Sequence, residues 1–73
     1  MLSRTRFEQL YDECEGPFYN IAIRWTWIRS EALEIVQETF LRVWTRRLFI
    51  SESRAAAYAH RCLLNLCHDH ARR

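Results

Sequence analysis

The sequence predicts an all-α domain, a compact bundle of three to four helices. Three observations lead to this prediction. The 73 residues contain one Gly and one Pro, so few positions interrupt a helix. Apolar residues recur three and four positions apart over most of the chain, which is the spacing of one helix face. Hydrophobic residues make up 49% of the chain, enough to form a core and to argue against disorder. We therefore expect a single domain over residues 1–73.

The first part of the chain is predicted to form either two helices or one. Thr5 and Glu8 match a capping box, so a helix should begin there. Gly16 can end this helix and Pro17 can begin a second one. The alternative is a single helix with only a bend at Gly16 and Pro17. The apolar positions at helical spacing are Phe7, Leu10, Tyr11 and Cys14, then Phe18, Ile21, Ala22 and Trp25.

The remaining helices are predicted on either side of a loop. Ser30 is the expected N-cap of a helix that continues to about Thr45. Its buried stripe should contain Ala32, Val36, Phe40 and Val43, with Ile35 and Trp44. Residues 46–53 should form a loop with an apolar anchor at Leu48, Phe49 and Ile50. Ser51 or Ser53 should cap a last helix over about residues 54–72, with one side formed by Tyr58, Cys62 (or Leu63), Leu66 and His70.

Charge is distributed unevenly along the chain. Residues 1–41 hold four Arg and seven acidic side chains, a net charge of −3. Residues 42–73 hold seven Arg and two acidic side chains, a net charge of +5. In the acidic half, one helical stripe contains Glu34, Gln37, Glu38 and Leu41, which we call the acidic ridge. Carboxylates around an apolar residue suit a basic helical partner, although an ordinary solvent-facing helix side has the same composition.

The basic half of the chain has the residue types of a nucleic-acid interface. Arg side chains contact phosphates, an aromatic ring can stack on a base, and Asn can hydrogen-bond a base edge. The candidate DNA-binding residues are Arg46, Arg47, Arg54, Tyr58, Arg61 and Asn65. The alternative is a basic terminal helix with a packed tyrosine.

Other function classes find little support in the sequence. Cys62, Cys67, His68 and His70 are residue types that bind zinc, but their spacing is poor, so we predict neither a metal nor any other cofactor and expect buried thiols instead. Catalytic motifs and a phosphate-binding Gly loop are absent, so an enzyme is not expected. No segment reaches the ~20 apolar residues of a membrane span, and no signal peptide is visible, which predicts a cytoplasmic protein without a membrane partner.

Two motifs resemble region 2 of bacterial sigma factors, in the extracytoplasmic-function group of the sigma-70 family. The first is Gln37-Glu38-x-Phe40-x-x-x-Trp44, and the second is the ending Asn65-x-x-x-Asp69-x-x-x-Arg73. Phe7-x-x-Leu10-Tyr11 also fits, and the resemblance covers residues 5–73.

The resemblance implies a function in transcription initiation. The acidic ridge would dock on the coiled coil of the largest subunit of core RNA polymerase. The 46–53 loop and last helix would bind the non-template strand of the promoter −10 element, trap a flipped base and help to melt the duplex. An anti-sigma factor is a further expected partner. The family's second domain, region 4, which reads the −35 element, has no counterpart in these residues, so we expect either an isolated region 2 or a truncated chain.

Some residues depart from the pattern of that family. Leu33 lies where an acidic residue is usual, which could weaken polymerase binding, and Tyr58-Ala59 replaces a usual Trp-Leu. Leu64 occupies a position that is commonly basic. The alternative functions are a small helical protein–protein interaction module without nucleic-acid binding, and a metal-sensing domain that uses the Cys and His residues.

Overall fold

The computed structural model describes residues 1–72 and confirms the all-α prediction, with three α-helices. The elements are α1 (Arg4–Thr26), α2 (Arg29–Thr45) and α3 (Ala55–Ala71), with two short 3₁₀ turns, Arg47–Phe49 and Glu52–Arg54, between α2 and α3. No strand occurs in this part of the chain. Arg73, the last residue of the ending motif, lies outside the described residues.

Helix α1 is continuous, so the prediction of two helices separated at Gly16 and Pro17 is wrong and the single-helix alternative is right. Pro17 is exposed within the helix, where its missing N–H and its ring are unfavourable. Packing on α2 holds both halves of α1, because Leu10 and Phe18 are buried and the Phe18 ring stacks on Phe40 with centroids 5.6 Å apart. Hydrophobic burial over the whole length thus outweighs the local breaking signal.

The N-terminus of α1 differs from the predicted capping box. Ser3 is the N-cap, and its Oγ accepts a hydrogen bond from the backbone N–H of Arg6 at 3.1 Å. Thr5 and Glu8 both lie inside the helix, and the Glu8 carboxylate is 3.6 Å from the Arg4 guanidinium instead. The N-cap of the helix therefore lies two residues earlier than the sequence pattern indicated.

The turn between α1 and α2 depends on Thr26 and Trp27. The Thr26 hydroxyl accepts from the N–H of Ile28 at 3.2 Å and donates to its carbonyl at 3.0 Å. Trp27 has φ 60° and ψ 3°, a left-handed conformation that costs a residue with a Cβ about 1–2 kcal/mol. Ile28, rather than the predicted Ser30, is the N-cap of α2, and it offers no side-chain cap.

Helix α2 supplies the centre of the core. Of the predicted stripe, only Trp44 is half-buried rather than buried. Thr39, which was not predicted, is fully buried, and its hydroxyl is satisfied because it donates to the carbonyl of Ile35 at 2.8 Å. The buried residues of α2 are Ala32, Ile35, Val36, Thr39, Phe40 and Val43.

The buried side of α3 lies one residue further along than predicted. Its fully buried residues recur every fourth position and are Ala55, Ala59, Leu63 and Cys67. The small alanines let the helix approach α1 and α2 closely. On the predicted side, Tyr58, Cys62, Leu66 and His70 are half-buried at the edge of this contact. Of the two residues predicted for its second position, Cys62 or Leu63, it is Leu63 that is buried.

The connection between α2 and α3 is anchored differently from the prediction. Of the expected apolar anchor only Ile50 is buried, whereas Leu48 and Phe49 are 58% and 90% exposed. The segment is held by the start of the chain, where the N–H of buried Leu2 donates to the carbonyl of Arg47 at 2.8 Å. Neither Ser51 nor Ser53 caps α3, whose N-cap is Arg54 without a side-chain hydrogen bond.

The two ends of helix α1 lie at opposite ends of the domain and contact different segments. Helix α1 has 23 residues and at ~1.5 Å per residue spans about 34 Å, which matches the longest dimension of the molecule, 34 Å. Its N-terminal end contacts the α2–α3 connection, because the Ser3 hydroxyl donates to the Glu52 carboxylate at 2.8 Å. Its C-terminal end leads into the Trp27 turn, at the opposite end of the domain.

Candidate functional site: two surfaces beside helix α2

The acidic ridge lies on the surface of α2. Glu34, Gln37 and Leu41 are exposed, and Glu38 is half-buried. Helical spacing places the four side chains on one stripe, as the sequence predicted. The Glu38 carboxylate accepts a hydrogen bond from Nε of Arg42 at 3.1 Å, one turn later. The ridge therefore presents Glu34, Gln37 and an exposed leucine freely, while the charge of Glu38 is partly compensated.

An aromatic groove between α1 and α2 borders the ridge. The Phe7 and Trp44 rings lie 5.0 Å apart between centroids, and those of Tyr11 and Phe40 lie 4.8 Å apart. The groove encloses about 480 Å³ and is lined by Arg4, Phe7, Glu8, Tyr11, Gln37, Phe40, Leu41 and Trp44. The Glu15 carboxylate beside the Tyr11 hydroxyl raises the pKa of Tyr11. Sequence analysis placed Phe7 and Tyr11 at apolar helix positions and in a motif of the resemblance, but it did not predict this groove.

On its other side the N-terminal part of the ridge meets the end of α3. The Nε2 of His70 lies 3.5 Å from the Glu31 carboxylate. The depression between the two helices is lined by ridge residues together with Glu31, Ile35, Arg42, Leu66, Asp69 and His70. Glu31 and Asp69 extend the acidic surface beyond the residues that the spacing within α2 could indicate.

A second depression, the α2–α3 hollow, opens beside the C-terminal part of the ridge. It encloses about 480 Å³ and is lined by Glu38, Leu41, Arg42, Thr45, Arg46, Tyr58, Arg61, Cys62 and Asn65. It brings together four of the six candidate DNA-binding residues. Arg42 is an additional cation that sequence analysis did not assign to this set. Glu38 and Leu41 belong to both the ridge and the hollow, so the two surfaces share a rim.

A third depression, the loop hollow, lies beneath the α2–α3 connection. It encloses about 410 Å³ and is lined by Arg46, Phe49, Ile50, Ser51, Arg54 and Tyr58. Tyr58 and Arg46 line both this hollow and the α2–α3 hollow. Burial raises the pKa of Tyr58, and the neighbouring Cys62 adds to the shift. The phenol is therefore a neutral ring and hydroxyl at physiological pH, available for stacking and hydrogen bonding.

Comparison with known proteins identifies this architecture. The family model that describes sigma-70 region 2 matches residues 10–73. The chain belongs to the sigma-70 region 2 family. Neither the curated proteins nor the solved structures contain a match. Region 2 of these transcription initiation factors acts in RNA polymerase binding and promoter recognition, and the family is not a class of enzymes.

Arg47 occupies a different place in this sigma domain from the other candidate DNA-binding residues. Its guanidinium lies over the Trp44 ring, 4.0 Å from the centroid, and its Nη1 donates to the Trp44 carbonyl at 2.9 Å. The side chain is half-buried and lines neither hollow. This contact secures the end of α2 against the connection. The structure thus groups Arg46, Arg54, Tyr58, Arg61 and Asn65 around the hollows and keeps Arg47 apart.

The cysteines and histidines of the sigma domain do not converge. Cys67 is fully buried, and this burial raises the pKa of its thiol, whereas Cys14 and Cys62 are only half-buried. Over residues 1–72, no three His, Cys, Asp or Glu side chains are grouped to hold a metal ion. Within the same residues, no helix is long and apolar enough to cross a membrane.

Proposed function

We propose that this sigma domain uses two adjoining surfaces beside α2 for two partners. The acidic ridge and the aromatic groove bind the coiled coil of the largest subunit of core RNA polymerase. The α2–α3 hollow and the loop hollow bind the non-template strand of the promoter −10 element and stabilise it in the melted state. The observation that supports this division most strongly is the arrangement of the depressions around α2: an apolar groove lies against α1, a largely acidic depression lies against the end of α3, and an arginine-rich hollow lies against the rest of α3.

The polymerase side has the features of a helix-binding surface. Leu41 is 58% exposed, and Gln37 and Leu41 line the aromatic groove, so an apolar side chain of a partner helix could pack between them. Glu34 and Glu38 would pair with basic residues of that helix, which fixes its register more than it adds affinity.

The strand side has the features of a site for unpaired bases. Tyr58 and the exposed Phe49 flank the loop hollow and offer aromatic surface to a flipped base. Asn65 is exposed in the α2–α3 hollow, where its amide can read a base edge. Arg46, Arg54 and Arg61 are exposed and would contact phosphates. Capture of the flipped base offsets the few kcal/mol that unstacking and unpairing cost.

The wider setting of the proposal follows the family. The domain would act in the cytoplasm, in the manner of an extracytoplasmic-function sigma factor. An anti-sigma factor would inhibit it by covering the ridge or the hollows. A region 4 domain elsewhere would read the −35 element.

A strand-binding measurement tests the DNA half of the proposal. Fluorescence polarisation should give a higher affinity for a single-stranded −10-like oligonucleotide than for its duplex or for a scrambled strand. Asn65→Ala should weaken binding about ten-fold, because one base-edge contact is worth about 1–3 kcal/mol. Asn20→Ala removes the same side chain from an exposed position on α1 and should have no effect.

The result that would contradict this half is equal binding of scrambled and −10-like strands. If no strand binds while core polymerase is captured, the domain is a protein–protein interaction module, as the alternative interpretation of the sequence holds.

A further inference from the structure

Trp27 combines two unfavourable features that the fold does not require. Its backbone is left-handed, with φ 60°, at the position after a helix end where Gly or Asn is the usual residue. Its side chain is 86% exposed, so the indole contributes little to the core. A glycine would satisfy the same turn without strain and without an exposed ring. A strained, exposed aromatic residue of this kind suggests a contact outside the domain.

Exposed apolar side chains accompany Trp27. Ile28 is 51% exposed and Leu33 is 43% exposed. Arg24 and Arg29 are exposed at either side of the turn, and neither forms an ion pair within residues 1–72. The surface therefore combines apolar area with positive charge at its border. Aliphatic side chains contribute little to binding phosphates or bases, so this combination favours a protein partner over a nucleic acid.

The position of this surface indicates which protein it contacts. Leu33, Gln37 and Leu41 are spaced four residues apart on α2, so they follow one another along the same side of the helix. The surface formed by Trp27, Ile28 and Leu33, which we call the Trp27 surface, thus continues the polymerase side of α2 to the end of the domain. That end is opposite to the loop hollow, so a partner can occupy it while a DNA strand is bound.

We infer that Trp27, Ile28 and Leu33 form a second anchor for core RNA polymerase, which extends the acidic ridge. The matching polymerase surface is an apolar depression bordered by carboxylates, which would pair with Arg24 and Arg29. Leu33 belongs to this anchor because it is exposed on the same side of α2 as Gln37 and Leu41. The inference rests on the proposed polymerase-binding function.

A comparison of Trp27 variants tests the inference with intact core RNA polymerase as the probe. Trp27→Asn keeps a residue that tolerates the left-handed conformation but removes the ring. Its affinity for core polymerase, measured by biolayer interferometry, should fall about ten-fold, as expected for loss of an aromatic anchor. Trp27→Tyr should keep most of the affinity. Circular dichroism and urea unfolding of both variants should show a folded domain.

The possible outcomes separate this inference from the proposed function. If Trp27→Asn binds core polymerase as tightly as the wild type while Gln37→Ala with Glu38→Ala loses binding, the inference of a second anchor is wrong. The acidic ridge then remains the proposed polymerase-binding surface. If the wild-type domain does not bind core polymerase, both are wrong. If the wild type sediments as a dimer that Trp27→Asn dissociates, with unchanged polymerase affinity, the surface binds a second copy of the chain and the inference is overturned.

Discussion

Replacement of Pro17 by Ala tests whether α1 is one helix. Pro17 is exposed within α1, so the substitution removes no buried contact. Because proline has no N–H, position 17 cannot donate to the carbonyl of Glu13, and its ring also crowds that carbonyl. Proline is about 3 kcal/mol less favourable than alanine inside a helix. The freedom that alanine gives to the unfolded chain reduces this gain by about 0.4–1 kcal/mol. We therefore expect Pro17→Ala to raise the free energy of unfolding by about 2 kcal/mol.

Urea unfolding followed by circular dichroism measures this change directly. A domain of this size should also gain about 8–16 °C in Tm, because 1 kcal/mol corresponds to about 4–8 °C. Asn20→Ala, on the same helix, changes only helix propensity and should gain less than about 0.7 kcal/mol. If Pro17 instead began a second helix, its replacement would lower stability. A loss of stability in Pro17→Ala would therefore refute the continuous helix.

Three further predictions concern charge. Glu38→Gln should raise the affinity of the domain for a single-stranded −10-like oligonucleotide two- to five-fold in fluorescence polarisation, a change of roughly 0.4–1 kcal/mol in binding free energy. The reason is that the Glu38 carboxylate lies on the rim of the α2–α3 hollow and accepts a hydrogen bond from Arg42, which the substitution would release for a phosphate. Glu34→Gln changes the net charge equally but lies outside the hollow, so an equal increase there would contradict this reasoning. Arg61→Gln should reduce the slope of log affinity against log salt by about 0.7 for a single strand, and an unchanged slope would show that Arg61 contacts no phosphate. The pKa of the buried Cys67 thiol lies above its ordinary value of 9.0 and that of Tyr58 above 10.0, both mainly through burial. As the pH rises, the unfolded state therefore loses these protons before the folded state does. The free energy of unfolding, measured with urea, should decrease as the pH rises above about 9. A constant free energy of unfolding there would contradict the burial of these two groups.

Helix α2 and its ridge were predictable because their pattern is local. An amphipathic stripe fixes both the buried and the exposed side of a helix, so Val36 could be assigned to the core and Gln37 to the surface without any tertiary information. The helix ends were less predictable. Ser3, Thr5 and Ser30 are all acceptable N-caps by composition, and only packing decides which of them is used.

The features that the sequence did not predict depend on contacts between distant residues. Leu2 is buried because its backbone reaches Arg47, and no local pattern signals that pairing. Leu48 and Phe49 were expected to anchor the loop by hydrophobicity alone, but only Ile50 is buried. The α2–α3 hollow exists because α3 packs beside α2, and the aromatic groove exists because α1 does. The roles of Arg42 and Tyr11 could therefore be recognised only from the fold.

The most direct test of the account is capture of purified core RNA polymerase by the immobilised domain and by its Gln37→Ala, Glu38→Ala double variant. The wild-type domain should retain the enzyme, with the contact cross-linking to the largest subunit. The double variant should lose capture while keeping wild-type helix content and an affinity for the single-stranded −10 oligonucleotide that is at least that of the wild type, because loss of the Glu38 carboxylate favours strand binding. Full capture by a folded double variant would contradict the claim that the ridge on α2 binds the polymerase.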